Sequence, residues 1–162
     1  MKDRVREALF SILGQRIEGK WVVDLFAGTG ALGLEALSRG AVGALFLEHH
    51  RPTAALLREN IVLLGVSDRC QVLPVDTFTW FRRRPDLPKT PWAVFCSPPY
   101  DVYQTRQKDM LLLIGGLTTQ SPQESLFIVE ADHRFDLALL PESGQWDIRH
   151  YRPAVLAIYQ KS

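Results

Sequence analysis

The chain has 162 residues, the length of one domain, and its formal charge of +1 gives no sign of a polyanion partner from bulk charge. Apolar residues make up 46%, with 11 glycines and 10 prolines, which excludes collagen-like and glycine/proline-rich disordered chains. There is no apolar stretch of about 18 residues, no charged-then-apolar leader and no Cys/His cluster with zinc spacing. We therefore expect one domain over residues 1–162, no metal, no membrane contact and a cytoplasmic location, with Cys70 and Cys96 as buried reduced thiols.

Short apolar runs alternate with segments of helical period, an order typical of βαβ units. Strands are predicted over residues 21–26, 44–48, 70–75, 92–96 and 126–130, and helices over 3–13, 31–39, 52–64, 77–83 and 105–117. Two further short strands, 146–151 and 155–159, predict an antiparallel hairpin at the sheet edge. The sequence therefore predicts an α/β fold whose mixed sheet has five parallel strands and a terminal hairpin, with helices on both faces.

A glycine-rich turn follows the first predicted strand. Gly28, Gly30 and Gly33 satisfy the G-x-G-x-x-G pattern, in which backbone amides and a helix N-terminus face a pyrophosphate. Asp24, at the strand end, suits a cationic ligand with an ammonium group better than a pyrophosphate. Glu48 ends the second strand and can bond the ribose of either a dinucleotide or an adenosyl ligand. A nicotinamide-dependent oxidoreductase, an enzyme with an adenosyl ligand and a purely structural turn remain open at this point.

The pattern D-x-F-A-G-x-G over residues 24–30 resembles motif I of class I S-adenosylmethionine-dependent methyltransferases. The resemblance implies a Rossmann-like fold whose turn passes under the methionine and ribose of the donor. It also implies that Asp24 bonds the donor's amino group, that Asp76 bonds the exocyclic amine of adenine, and that Thr77 lies beside the ring. The structural alternative is that Asp76 or Thr77 caps the following helix.

Two prolines follow the fourth predicted strand, in Ser97-Pro98-Pro99-Tyr100. Prolines cannot continue a ladder, so they form a rigid turn at the carboxyl end of the sheet, where open α/β folds bind ligands. A simple loop break is the alternative. The tetrapeptide resembles motif IV of methyltransferases that act on exocyclic amino nitrogens. That resemblance implies that Ser97 and the Pro98 carbonyl hold the amine hydrogens and that Tyr100 stacks on an extruded base.

A longer resemblance narrows the family. DRVREALF at 3–10, DLFAGTGALGLEALSRGA at 24–41, the SPPY tetrapeptide and the strand end at Glu130 are similar to bacterial 16S rRNA guanine-N2 methyltransferases, the ribosomal small-subunit methyltransferase D family. The resemblance implies a monomer that methylates N2 of a guanine in 16S rRNA or an assembling small ribosomal subunit, using S-adenosylmethionine. It implies the cofactor-binding residues Asp24, Phe26, Ala27, Gly28, Gly30, Glu48, Asp76 and Thr77, the catalytic residues Ser97, Pro98, Pro99 and Tyr100, and Arg4 as a further donor contact.

Two departures from the family pattern keep other substrates open. Ser97 stands where the family has Asp, and a neutral hydroxyl is a weaker acceptor than a carboxylate. The basic hairpin that precedes the first helix in the family is expected to be absent. The alternatives are a DNA amino-methyltransferase acting on cytosine N4 or adenine N6, a weakened RNA-binding relative, a protein-glutamine methyltransferase and an NAD-dependent oxidoreductase. The basic residues Arg82, Arg83, Arg84 and Lys89 form a candidate phosphate-facing patch.

Overall fold

The predicted strands all form, and they hydrogen-bond into one seven-stranded sheet in the computed structural model, which describes all 162 residues. The strands are β1 (Trp21–Asp24), β2 (Gly43–Leu47), β3 (Cys70–Leu73), β4 (Trp92–Cys96), β5 (Leu126–Ala131), β6 (Asp147–Tyr151) and β7 (Ala154–Gln160). Their order in the sheet is β3-β2-β1-β4-β5-β7-β6. The first five run parallel, whereas β7 pairs antiparallel with both β5 and β6. The predicted fold class is confirmed.

There are six α-helices, of which the first precedes β1 and the other five lie in the connections between the first five strands. They are α1 (Asp3–Leu13), α2 (Ala31–Ser38), α3 (Arg51–Leu63), α4 (Thr77–Arg82), α5 (Val102–Thr105) and α6 (Gln107–Gln120). The helix predicted over 105–117 is confirmed as α6, which begins at Gln107 and continues to Gln120. The short helix α5 before it was not predicted, and Arg106, with φ −136, separates the two helices. None of the helices has the length and apolar character that a membrane crossing requires.

The parallel strands are buried on both faces because helices cover both. Along β1, Val22 packs in a core cluster with Leu9 of α1 and Ala36 of α2. Its neighbour Val23 points to the opposite face and packs in a second cluster with Met110 of α6. Successive side chains of a strand point to opposite faces of the sheet, so a strand buried on both faces is apolar along its whole length. This explains why the strands were recognisable as continuous apolar runs.

The strand order changes direction between β1 and β4. The chain passes from β1 outward to β2 and β3, and then returns to place β4 on the other side of β1. The two strands are in parallel register, with Asp24 opposite Phe95. Open α/β sheets bind ligands at the carboxyl ends of the strands beside such a switch point. The glycine turn (residues 25–30) after β1 and the proline turn (residues 97–100) after β4 therefore lie side by side.

Candidate active site

A cleft of about 730 Å³ opens at the carboxyl edge of the sheet, between the glycine turn and the proline turn. Ten of the twelve site residues predicted from the sequence line it: Phe26, Ala27, Gly28, Glu48, Asp76, Thr77, Ser97, Pro98, Pro99 and Tyr100. The other two, Asp24 and Gly30, are not part of its lining. The structure thus brings the residues predicted for the donor and those predicted for the amine around one cavity.

The glycine turn has two glycines in the left-handed region of backbone conformation. Gly28 has φ +57 and Gly30 has φ +93, a region that other residues rarely adopt. A Cβ atom at Gly30 would lie 2.2 Å from Leu57 Cδ1, whereas a Cβ at Gly28 would meet nothing within 4 Å. Gly30 therefore allows α3 to pack against the turn, and Gly28 leaves its backbone open to the cleft.

Asp24 lies beneath the glycine turn, and its side chain is buried. The carboxylate oxygen Oδ2 accepts a hydrogen bond from the Gly33 N–H at 3.2 Å, and Oδ1 has no hydrogen-bond partner. The pKa of Asp24 is raised from 3.8 to about 7, mainly by burial; the Gly33 hydrogen bond acts against this rise, and the nearby Glu48 charge adds to it. The site thus holds a buried carboxyl group with an unused acceptor oxygen, next in the chain to Leu25, which lines the cleft.

Glu48 is held at the end of β2 by backbone amides. Its Oε1 accepts from the Gly28 N–H at 3.0 Å, and its Oε2 accepts from the His50 N–H at 2.8 Å. The side chain is 11% exposed and lines the cleft. Each carboxylate oxygen keeps a free lone pair after these bonds, so Glu48 presents a fixed acceptor for ligand hydroxyls.

Asp76 and Thr77 follow β3 and begin α4. Asp76 Oδ2 accepts from the Thr79 N–H at 2.9 Å, which is a helix N-cap, and the alternative structural role predicted for Asp76 is present. Asp76 also lines the cleft, so capping leaves it within reach of a ligand. The buried Thr77 hydroxyl donates to the Leu25 carbonyl, which ties the start of α4 to the glycine turn.

Arg106, which the sequence analysis did not single out, also lines the cleft. Its guanidinium lies 4.0 Å from the centre of the Phe78 ring, and one of its nitrogens is 3.8 Å from Asp76 Oδ1. The interruption between α5 and α6 places this residue at the cleft. Neither glycine nor proline marks that interruption in the sequence, so no local pattern predicted it.

Glu130, near the end of β5, closes the other side of the cleft at the proline turn. The Ser97 hydroxyl donates to its Oε1, and the Tyr100 hydroxyl donates to its Oε2 at 2.9 Å. The Tyr103 hydroxyl donates to its backbone carbonyl at 2.8 Å, and the Met1 ammonium is 3.6 Å from Oε1. Glu130 is 2% exposed. In the sequence, Glu130 stood out only through the family resemblance, although a charged residue at the end of an apolar strand is itself a signal for a site.

The electrostatics of this corner keep Tyr100 neutral. Burial, and secondarily its hydrogen bond to Glu130 and the charge of that residue, raise the pKa of Tyr100 well above its ordinary value of 10.0. The phenol therefore stays protonated at physiological pH and remains a hydrogen-bond donor to Glu130.

Comparison with known proteins identifies the family. The family model described as "Conserved hypothetical protein 95" matches residues 1–160. The "Ribosomal RNA small subunit methyltransferase D" of Escherichia coli strain K12 is 31% identical over 159 residues, covering 98% of this chain and 75% of that protein. The chain belongs to the ribosomal RNA small subunit methyltransferase D family. The resemblance on which the sequence analysis relied is confirmed.

Solved structures share the fold of this chain. The Escherichia coli protein yhhF superposes with a TM-score of 0.81 at 29% identity, covering 100% of this chain and 87% of that one. A Thermus thermophilus 16S rRNA N2 G1207 methyltransferase, solved with AdoMet and guanosine, superposes with a TM-score of 0.76 at 19% identity, covering 96% of this chain and 41% of that one. The chain therefore has the class I methyltransferase fold, as predicted.

Arg4 of α1, which the methyltransferase D resemblance suggested as a further contact to the methyl donor, is not at the cleft. Arg4 is exposed and does not line the cleft, whereas Arg6 on the same helix does. Arg6 is 26% exposed and pairs with Asp3 at 3.0 Å. Successive helical residues are rotated by about 100° around the axis, so a shift of two positions changes the direction of the side chain.

The basic residues suggested as a phosphate-facing patch lie away from the cleft. Arg82, Arg83, Arg84 and Lys89 are all exposed, but none lines the cleft. They end α4 and precede β4, and the Trp21 N–H at the start of β1 donates to the Pro91 carbonyl at 2.9 Å. This loop is therefore at the amino edge of the parallel strands, opposite the glycine turn and the proline turn.

Proposed function

We propose that this protein transfers a methyl group from S-adenosylmethionine to the exocyclic N2 of a guanine in 16S rRNA. The observation that carries the proposal is the meeting of the glycine turn and the proline turn in one cleft at the switch point between β1 and β4. The protein would act in the cytoplasm, as a monomer, on 16S rRNA or an assembling small ribosomal subunit. The names of its relatives support the rRNA substrate.

The residues on the glycine-turn side fit an adenosyl sulfonium ligand. Asp24 supplies a buried, unused carboxylate oxygen that suits the positive charge of an amino acid ammonium or of an ordered water bound to it. Gly28 leaves open space above its backbone, and Glu48 presents acceptors for ribose hydroxyls. When bound, S-adenosylmethionine supplies a methyl group on a positively charged sulfur.

The residues on the proline-turn side fit an amino group on a base. The lone pair of such an amine is delocalised into the ring, so it is a poor nucleophile until its hydrogens are held. Ser97 and Pro98 line the cleft and supply a hydroxyl oxygen and a carbonyl oxygen as acceptors for the two amine hydrogens, while the Tyr100 ring offers a surface for stacking. Base–aromatic stacking is worth about 1–3 kcal/mol. Catalysis in this arrangement is mainly positioning.

The direct test is transfer of labelled methyl from S-adenosylmethionine to small-subunit particles and to naked 16S rRNA, both prepared from cells that lack this gene. We expect label in the rRNA and its recovery as N2-methylguanosine after nucleoside analysis. Ser97→Ala is the matched variant, and we expect it to incorporate far less label. Absence of incorporation, or recovery of label in another base, would contradict the proposal.

Calorimetry separates this function from the oxidoreductase alternative. We expect the protein to bind S-adenosylmethionine and its demethylated product more tightly than about millimolar, and to bind NAD no more tightly than an unrelated protein does. Tight binding of NAD without binding of the methyl donor would favour the oxidoreductase. Labelled DNA or labelled protein in place of rRNA would favour the other amino-methyltransferase alternatives.

A further inference from the structure

The proline turn contains no carboxylate of its own, yet a buried carboxylate lies directly behind it. β4 and β5 are parallel neighbours in which Cys96 pairs with Val129, so the next residues, Ser97 and Glu130, lie opposite each other. Glu130 is 2% exposed, and its two oxygens accept from the hydroxyls of Ser97 and Tyr100. The two residues of the proline turn that carry hydroxyl groups are therefore both bonded to one carboxylate.

The direction of these hydrogen bonds determines what Ser97 can offer to a ligand. A hydroxyl has one hydrogen and two lone pairs. Because the single hydrogen of Ser97 is donated to Glu130, the oxygen of Ser97 has only lone pairs to present to the cleft. A hydroxyl that donates to a carboxylate is polarised by it, so its oxygen becomes a stronger acceptor.

We propose that Glu130 is a positioning residue for methyl transfer. It acts through Ser97 and receives the proton that the target amine loses. This inference rests on the proposed function and adds to it the carboxylate of the amine site. Ser97 and Glu130 together take the place of the single Asp that the family pattern has at position 97. Ser97 and Glu130 both line the cleft, as does Met1, whose ammonium lies 3.6 Å from Glu130 Oε1.

The proton and electron balance of the step is complete with these residues. The amine nitrogen forms a bond to the methyl carbon as the carbon–sulfur bond breaks, with its electron pair remaining on sulfur. The surplus proton of the nitrogen moves to Ser97 Oγ, and the Ser97 hydroxyl proton moves to Glu130 Oε1. The sulfonium charge and the carboxylate charge are both neutralised, and the products are a methylamine, a thioether and a protonated Glu130.

The experiment compares the effect of Glu130→Gln in two backgrounds. An amide of the same size as the carboxylate can accept through only one oxygen and cannot take up the proton. With Ser97 present, we expect Glu130→Gln to lower kcat for methyl transfer to small-subunit particles by about 100-fold, the size of a lost acid–base contribution. We expect the substrate KM and the dissociation constant of the methyl donor, measured by calorimetry, to stay within about threefold, because the donor contacts are untouched.

In the Ser97→Asp background, residue 97 supplies its own carboxylate. We therefore expect Glu130→Gln to cost less than about tenfold in kcat there, a rescue that a merely structural role would not give. Glu59→Gln is the matched control, because Glu59 is an exposed glutamate on α3, and we expect no change. If Glu130→Gln fails to fold, Ser97→Ala, which leaves the bond between Tyr100 and Glu130 intact, tests the same link and should lower kcat to a similar extent.

The outcomes separate this inference from the proposed function. Equal losses from Glu130→Gln in both backgrounds, or a kcat that stays within threefold of the unaltered protein, would overturn the role of Glu130 while leaving methyl transfer in place. A Ser97→Ala variant with unchanged kcat would overturn it as well. If the unaltered protein transfers no methyl group to any small-subunit particle, the proposed function fails first, and the role of Glu130 fails with it.

Discussion

The Gly28 N–H donates to Glu48 Oε1 at 3.0 Å, which joins the turn after β1 to the end of β2. The second carboxylate oxygen accepts from the His50 N–H at 2.8 Å. One side chain therefore fixes the backbone both after β1 and after β2, and it is positioned to accept ligand hydroxyls with the lone pairs that remain. The shape of this part of the cleft depends on the two accepting oxygens of a carboxylate, which a side chain of similar size with one such oxygen does not have.

Replacing this carboxylate by an amide tests that dependence. In Glu48→Gln, only one oxygen can accept, so either the Gly28 or the His50 N–H loses its partner. A partly buried N–H group left without a hydrogen-bond partner costs about 1–3 kcal/mol of stability. Because the lost bond changes the shape of the pocket, we expect the dissociation constant of S-adenosylmethionine to rise about tenfold or more in calorimetry. Glu59→Gln, on the exposed face of α3, is the control and should bind the donor normally. Normal donor affinity in Glu48→Gln would show that the two backbone bonds do not shape the pocket.

The two glycines of the turn should differ in what an added methyl group disturbs. In Gly28→Ala, the φ of +57 costs about 1–2 kcal/mol of stability, but the new Cβ meets no protein atom. In Gly30→Ala, the Cβ must also displace Leu57 Cδ1, which lies 2.2 Å away, and this adds about 1–3 kcal/mol. Denaturant unfolding should therefore show the larger loss of stability in Gly30→Ala.

Donor affinity should follow a different order from stability at these two positions. Gly28 lines the cleft, so its added methyl group would project into space that the ligand needs, and we expect Gly28→Ala to lose donor binding although it folds. A Gly28→Ala protein that binds the donor as tightly as the unaltered chain would indicate that the ligand does not pass over this turn.

The buried carboxyl of Asp24 predicts a pH dependence of donor affinity. Its pKa of about 7 means that it changes charge near neutral pH. If the cationic donor binds only when Asp24 is ionised, its apparent affinity should rise about tenfold between pH 6 and pH 8. Calorimetry across this range should show the rise in the unaltered protein. In Asp24→Asn it should be absent, with weaker binding at pH 8. A pH dependence that persists in Asp24→Asn would assign it to another group.

The same titration predicts how the stability of the ligand-free protein depends on pH. The pKa of Asp24 is raised on folding, so its contribution to stability is fully present below pH 3.8 and is lost as pH rises through about 7. Asp24→Asn has no such loss. The melting temperature of Asp24→Asn relative to the unaltered protein should therefore increase from pH 5 to pH 8 in the absence of donor. A constant difference would mean that Asp24 is ionised throughout.

Local sequence patterns predicted the strands and both turns because these features leave local marks. Strands buried on both faces are apolar along their length, and glycines or paired prolines mark where they end. Cys70 shows the limit of this reasoning, since it was expected to be buried and is partly exposed. Its strand, β3, is at the edge of the sheet, and the position of a strand within the sheet cannot be deduced from its apolar run alone.

The contacts that organise the cleft were not predictable, because they depend on register and on side-chain depth. Glu130 meets Ser97 only through the parallel pairing of β4 and β5, which are 33 residues apart at this contact. Arg106 reaches the cleft through a helix interruption without a sequence signal. Asp24 was predicted as a ligand contact from a motif. The structure places it beneath the turn, and its burial there, which the sequence did not show, raises its pKa.

A crystal structure of the protein with S-adenosylhomocysteine and guanosine tests the central claim, that one cleft brings a methyl donor to an amine. We predict that the sulfur faces the proline turn, that the guanosine N2 lies within hydrogen-bond distance of Ser97 Oγ and the Pro98 carbonyl, and that a methyl carbon placed on sulfur would be about 3–3.5 Å from N2. A product molecule bound outside this cleft, or bound with its sulfur directed away from the proline turn, would contradict the account.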